Sequence, residues 1–245
     1  MSVLSIDQLT QRLGWYGKMP AAGDFMHRRL EQSVINWWHQ WLEQGLLTVR
    51  ATNPNSLVDA YMRSPIWNFV LPAKQGQTWI QMGSIAPSRD RVGRLYPLLI
   101  SLVVPSAAFE KQLIEGSARF YQFTGQALLQ AVGRGCSAQQ FEASVQSAHL
   151  SMSAMLEREA SQQHVATTGG GDILSILNEG HDAPPSERLE HELLRWPELS
   201  LYFEPEASNS FWWTNVATGA AHRSVVHGGA PNTTLFETLF VRHQA

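Results

Sequence analysis

The chain has 245 residues, with 18 basic against 21 acidic side chains and a single cysteine, Cys136. The net charge of −3 leaves no positive excess for a general affinity to phosphate backbones, which argues against nucleic acid as a partner. One thiol rules out an intramolecular disulfide and any cysteine-clustered zinc site, and a chain this long buries about 70–75% of its unfolded surface, enough to hold a core without either.

Residues 1–11 contain Asp7 and lack a basic region followed by an apolar run, so they do not read as a signal peptide. The longest apolar stretch, 95–104, is interrupted by Pro97 and Ser101 and is too short to span a membrane. These features predict a cytoplasmic protein without membrane insertion. The first unusual segment is Gly14-Trp15-Tyr16-Gly17-Lys18-Met19-Pro20-Ala21-Ala22-Gly23-Asp24-Phe25. Gly17 and Gly23 open backbone angles closed to other residues, and Pro20 stiffens the turn. A helix is expected at 34–46, where Val34, Trp37, Trp38, Trp41, Leu42 and Leu46 form one apolar stripe behind Ser33 as N-cap. Core packing is the commoner fate of such a stripe, with a docking face as the rival.

A short helix capped at Asn55 or Ser56 should run through Tyr61 and stop at Ser64-Pro65. Strands are expected at 67–71, 78–85 and 95–104, the second with one wet face and the third covered on both. Before the third lies Pro87-Ser88-Arg89-Asp90-Arg91-Val92-Gly93-Arg94-Leu95-Tyr96-Pro97, with three arginines and one aspartate. Helices at 108–132 and 137–159 flank a Gly133-Arg134-Gly135 break, and loops are expected at 162–171 and 181–186. Strands resume at 199–204, 210–214 and 222–227, and a helix at 234–242, capped by Thr233, closes the chain. Strands, long helices and strands again predict an α/β fold in one domain, 1–245. Its single mixed sheet is built from N- and C-terminal strands and flanked by helices on both faces.

Catalytic motifs are near-misses. His191-Glu192-Leu193-Leu194-Arg195 carries arginine where a zinc-protease helix needs its second histidine. Gly169-Gly170-Gly171-Asp172 lacks the Gly-Lys-Ser/Thr ending of a phosphate loop, and no nucleophile elbow occurs. His222 and His227 would fall on opposite faces of a strand. No cofactor, metal or catalytic residue is therefore assigned. In the two concentrated loops, Asp90 could pair with a neighbouring arginine and leave a spare guanidinium for a carboxylate or phosphate on a partner. The alternative is a loop–loop clamp in which Asp24 and the arginines pin the turns together. Either way, the two loops should lie at one end of the sheet.

The motif Gly17-Lys18-x-Pro20-x-x-Gly23-Asp24-Phe25-x-x-Arg28, the Trp37–Trp41 helix and Ser64-Pro65-x-Trp67-x-Phe69 resemble the TagF (ImpM) family. Pro87-Ser88-x-Asp90-Arg91-Val92-Gly93-Arg94-x-x-Pro97-Leu98 adds to the likeness, which covers roughly 14–104 in family order, and Trp212-Trp213 in Ser210-Phe211-Trp212-Trp213-Thr214 extends it more weakly. The resemblance implies a post-translational negative regulator of bacterial type VI secretion, non-catalytic and associated with the forkhead-associated (Fha) scaffold. Candidate partner-binding or motif residues are Gly17, Lys18, Pro20, Gly23, Asp24, Phe25, Arg28, Ser88, Arg89, Asp90, Arg91, Gly93, Arg94, Trp212 and Trp213. Two alternatives stand beside this reading: a structural component of the secretion apparatus, and a small hydrolase using Asp24, His27 and Asp90.

Overall fold

A computed structural model describes residues 5–52, 57–73, 78–134, 136–147, 152 and 193–242. The described part begins with α1 (Ile6–Arg12), where the Ser5 hydroxyl accepts the Gln8 N–H and the Gln8 carboxamide accepts the Ser5 N–H. This reciprocal pair satisfies two of the helix's orphan donors. β1 (Leu13–Gly17) follows without a break and pairs with the short edge strand β2 (Met26–Arg28). Neither strand was expected from the sequence, because Gly14, Gly17 and Pro20 make the segment read as a turn.

α2 (Gln32–Thr52) starts before Ser33, which therefore lies in its first turn instead of capping it, and continues past Leu46. Its buried stripe is Val34, Ile35, Trp38, Trp41, Leu42, Gly45, Leu46 and Val49, recurring at three- and four-residue steps. α3 (Leu57–Met62) ends before Ser64-Pro65 as expected, and its proposed caps, Asn55 and Ser56, lie outside the described residues. β3 (Trp67–Leu71), β4 (Trp79–Ala86) and β5 (Leu98–Pro105) form a meander. After a 3-10 turn (Ser106–Ala108) come α4 (Gln112–Glu115), α5 (Ala118–Arg134) and α6 (Ala138–Gln146), so the helix expected over 108–132 is broken at Gly116. Most of the predicted 137–159 helix beyond Ser147 lies outside the described residues, as do the 162–171 and 181–186 loops.

The strand expected at 199–204 is instead a helical turn, α7 (Leu199–Tyr202). Leu199 and Phe203, four apart, are fully buried, while Leu201 and Tyr202 between them are exposed, a helical spacing and not a strand's alternation. β6 (Asn209–Thr214), β7 (Ser224–Gly228) and α8 (Thr233–Phe240) complete the described chain. Asn232, not Thr233, caps α8 by accepting the Leu235 N–H at 3.0 Å.

The seven strands form one sheet in the order β2-β1-β5-β4-β3-β6-β7, joining strands from both ends of the chain. Every pairing is antiparallel, which corrects the expected mixed sheet. The β3–β4–β5 meander has no helical crossover of the kind a parallel pair needs, and β1 and β6 add to its outer edges antiparallel to their neighbours.

Alternation along the central strands feeds two cores. Ile80, Met82, Ile100 and Leu102 point to the side covered by α1, α5, α6 and α7, whereas Ile85, Leu99, Phe69 and Trp212 point to α2, α3 and α8. The supposed wet face of β4 is buried. Gln81 lies beneath α2, accepting the Trp38 indole N–H at 2.8 Å and the Ser101 hydroxyl at 2.9 Å.

Candidate functional site

Gly17 ends β1 at φ 140°, and a Cβ there would lie 2.1 Å from the Pro97 carbonyl oxygen. Only glycine fits so close to the neighbouring backbone. The chain then turns Lys18 inward at the end of the sheet, where β4 has just finished and β5 begins. Its ammonium donates to Asp90 Oδ2 at 3.0 Å, and its carbonyl accepts the buried Ser88 hydroxyl at 2.8 Å.

Asp90 organises the second loop. Its Oδ1 accepts the Val92 and Arg94 backbone N–H groups at 3.1 and 2.9 Å. Its Oδ2 accepts Lys18 and the Arg94 Nε at 2.6 Å. Backbone bonds between Asp90 and Arg94, and between Tyr96 and Ser88, close the loop on itself. Burial pushes the Asp90 carboxyl up, but the Arg94 N–H, the Lys18 ammonium and the Arg94 guanidinium outweigh it and hold the group well below the usual carboxylate range.

The two loops are also joined directly. The Arg91 N–H donates to the Ala22 carbonyl at 2.9 Å, and Arg94 Nη2 donates to the Gly23 carbonyl. Asp24, by contrast, is almost fully exposed and, among the described residues, reaches only Arg94, at 3.9 Å. A clamp does pin the two turns, with Lys18 and Asp90 at its centre in place of Asp24.

An aromatic cluster seals the clamp against α2. Phe25 stacks on Tyr16 and meets Tyr96 and His39 edge-on. Lys18 Nζ lies 4.9 Å from the Phe25 ring centre, within cation–π range. Tyr16 and Tyr96 hydroxyls lie 3.0 and 3.2 Å from His39 Nδ1, and the His39 Nε2 faces Glu43 at 3.3 Å. Burial raises both tyrosine hydroxyls above their ordinary range. Tyr61, buried under Ser88, accepts the Ser88 N–H at 3.3 Å. Tyr16, His39, Tyr61 and Tyr96 were not singled out by sequence. The available signal was that Tyr16 and Tyr96 each fall within one of the two concentrated segments.

Outward from this end project Arg89, Arg91, Val92, Gly93 and Arg94, with Phe25 partly exposed and Pro20 half-buried. His27 and Arg28 are exposed on β2, and among the described residues no hydrogen bond or ion pair joins His27 to Asp24 or Asp90. Trp212 and Trp213 are fully buried on opposite faces of β6. Trp212 packs with Trp38, Trp41 and Phe69, and Trp213 with Tyr121 and Trp196. They build the core and present no surface to a partner.

A polar cavity of about 530 Å³ lies at the opposite end of the sheet, lined by Arg12, Arg29, Trp79 and Val103 among others, and includes none of the motif residues. Among the described residues no group of His, Cys, Asp and Glu is placed to hold a metal ion, and no helix is long and apolar enough to cross a membrane.

A search of curated proteins found no match. Among solved structures, the crystal structure of PA0076 from Pseudomonas aeruginosa PAO1 is similar, at 23% identity and a TM-score of 0.60. The alignment covers 95% of this chain and 96% of that one, and at this identity it speaks for the fold. The family model for the TagF N-terminal domain, type VI secretion system-associated, matches residues 14–148, more than half of the chain and both clamped loops. The chain belongs to the TagF family of type VI secretion-associated proteins.

Proposed function

We propose that this chain is a non-catalytic regulator of type VI secretion that acts by binding a protein partner at the clamped end of the sheet, with the Fha scaffold as that partner. One observation carries the reading: a single buried carboxylate, Asp90, fixes two loops while Arg89 and Arg91 of the same loop remain at the surface. A rigid scaffold presenting exposed loop residues is the usual design of a recognition site. Repression, and the choice of Fha, come from what the family resemblance implies.

The same geometry disfavours a hydrolase at Asp24, His27 and Asp90. Asp90 accepts four hydrogen bonds and has no capacity left to take a substrate proton. Asp24 is almost fully exposed, and among the described residues no carboxylate pairs with His27. A general base needs hydrogen-bond reach to the proton it takes, and Asp90 has its oxygens already occupied.

The test is capture from lysate with the chain as bait, alongside a secretion assay in cells lacking it. The expected result is recovery of Fha and increased secretion in the deletion strain. Unchanged secretion together with capture of other secretion-apparatus components in fixed ratio would favour the structural-component alternative.

A further inference from the structure

The clamped end carries a charge opposite in sign to that of the whole chain. Lys18, Arg89, Arg91 and Arg94 stand there against Asp24 and Asp90, a local excess of two positive charges in a chain of net charge −3. Asp90 is already saturated by Lys18, Arg94 and two backbone N–H groups. Asp24 is exposed and, among the described residues, approaches only Arg94. Glu43, the carboxylate that approaches the aromatic cluster, faces His39. Among the described residues, the side chains of Arg89 and Arg91 have no carboxylate partner, and both are exposed.

Exposed apolar side chains lie on the two clamped loops, one of which carries both arginines. Phe25 is 41% exposed and Val92 68% exposed. Phe25 is already held from three sides, its ring centre 5.8 Å from Tyr16, 4.7 Å from Tyr96 and 5.4 Å from His39. An ordered ring gives up little freedom when a partner covers it, so its burial goes largely into affinity. The Arg91 backbone is likewise fixed, by its bond to Ala22.

We infer that this end binds an acidic protein segment whose carboxylates pair with the Arg89 and Arg91 guanidinium forks and whose apolar side chain covers Phe25. The inference rests on the proposed function, since it names the partner's chemistry at that surface. Guanidinium groups fit carboxylate and phosphate alike. The exposed Phe25 and Val92 decide for a polypeptide that brings an apolar group with its charges. Two unpaired arginines on an acidic chain are too few for nucleic acid.

The test uses the full chain and two fluorescein-labelled peptides, Gly-Asp-Glu-Phe-Glu-Asp-Gly and Gly-Lys-Lys-Phe-Lys-Lys-Gly, followed by fluorescence anisotropy. The acidic peptide should bind, its lysine counterpart should not, and added salt should weaken the complex. Arg89→Ala with Arg91→Ala should lower the affinity by about tenfold or more, as the loss of close interfacial charge pairs does. Phe25→Ala should lower it about tenfold as well, with the melting temperature of each variant recorded to separate binding from folding. No binding of the acidic peptide, equal binding of both peptides, or full affinity in the double variant would overturn the inference. So would displacement of the peptide by inorganic phosphate at equal concentration. Capture of Fha by wild type and double variant alike would sink this inference and leave the regulatory reading standing. Acidic-peptide binding by a chain that never captures Fha would sink the regulatory reading and keep the surface.

Discussion

Asp90 and Lys18 are nearly inaccessible to water, and Asp90 is the carboxylate that pairs with Lys18 among the described residues. Removing one partner of such a pair leaves a buried charge uncompensated, which costs about 3–5 kcal/mol. Asp90→Asn should therefore lower the urea-unfolding stability by roughly that amount. The pH dependence has a definite sign. The native Asp90 carboxyl sits below its unfolded value, so its stabilisation is fully present above the ordinary carboxylate range of about 4 and fades as pH falls through the lowered native value. Glu142, held down by Arg29 and Trp15 against its own burial, shifts in the same direction. Urea midpoints measured from pH 7 to pH 3 should fall in the wild type and fall less in Asp90→Asn. Parallel curves would show that Asp90 is not the group being titrated. Both loops were legible in the sequence because Gly, Pro and Arg crowd there. Their wiring was not: Lys18 and Asp90 are 72 positions apart, and Tyr16, His39 and Tyr96 meet only after three elements have packed.

At the scale of elements, α5 lies against the sheet at a point where Gly125 admits the Asn215 side chain. A Cβ at Gly125 would stand 2.0 Å from Asn215 Oδ1. Asn215 cannot swing away, because it donates to Asn68 Oδ1 and the Tyr121 carbonyl and accepts the Ala217 N–H. Gly125→Ala should thus destabilise the protein by about 1–3 kcal/mol despite its better helix propensity, and a melting temperature at or above wild type would contradict the packing described. α2 makes a second prediction. Trp41 is 6% exposed and donates its indole N–H to the Asn232 carbonyl, so Trp41→Ala should cost about 3–5 kcal/mol. A variant that melts normally yet loses its partner would move this helix from core to interface. The tryptophan stripe revealed α2 because its spacing is long and regular. β1 stayed hidden because its glycines mimic a turn, and α7 because four residues show too little periodicity to separate helix from strand.

At the scale of the molecule, β6 lies beyond the family match yet pairs with β3 inside it. Trp212 of β6 shares one aromatic cluster with Trp38, Trp41 and Phe69. We propose that the chain unfolds as a single domain, so that near- and far-ultraviolet circular dichroism give coincident urea transitions. Separated transitions would mean that the C-terminal strands form a unit of their own. We propose that the clamped end is a binding surface and not only a brace for the fold. Isothermal titration of purified Fha into the wild-type chain and into Arg91→Glu tests it most directly, with thermal melts of both. An exposed arginine adds at most roughly 0–1 kcal/mol to stability by surface pairing, and Arg91 is exposed, whereas losing an interface charge costs about 2–5 kcal/mol of binding. Equal melting temperatures and a clearly weakened complex are expected. A variant that unfolds, or one that binds Fha as tightly as wild type, would contradict it.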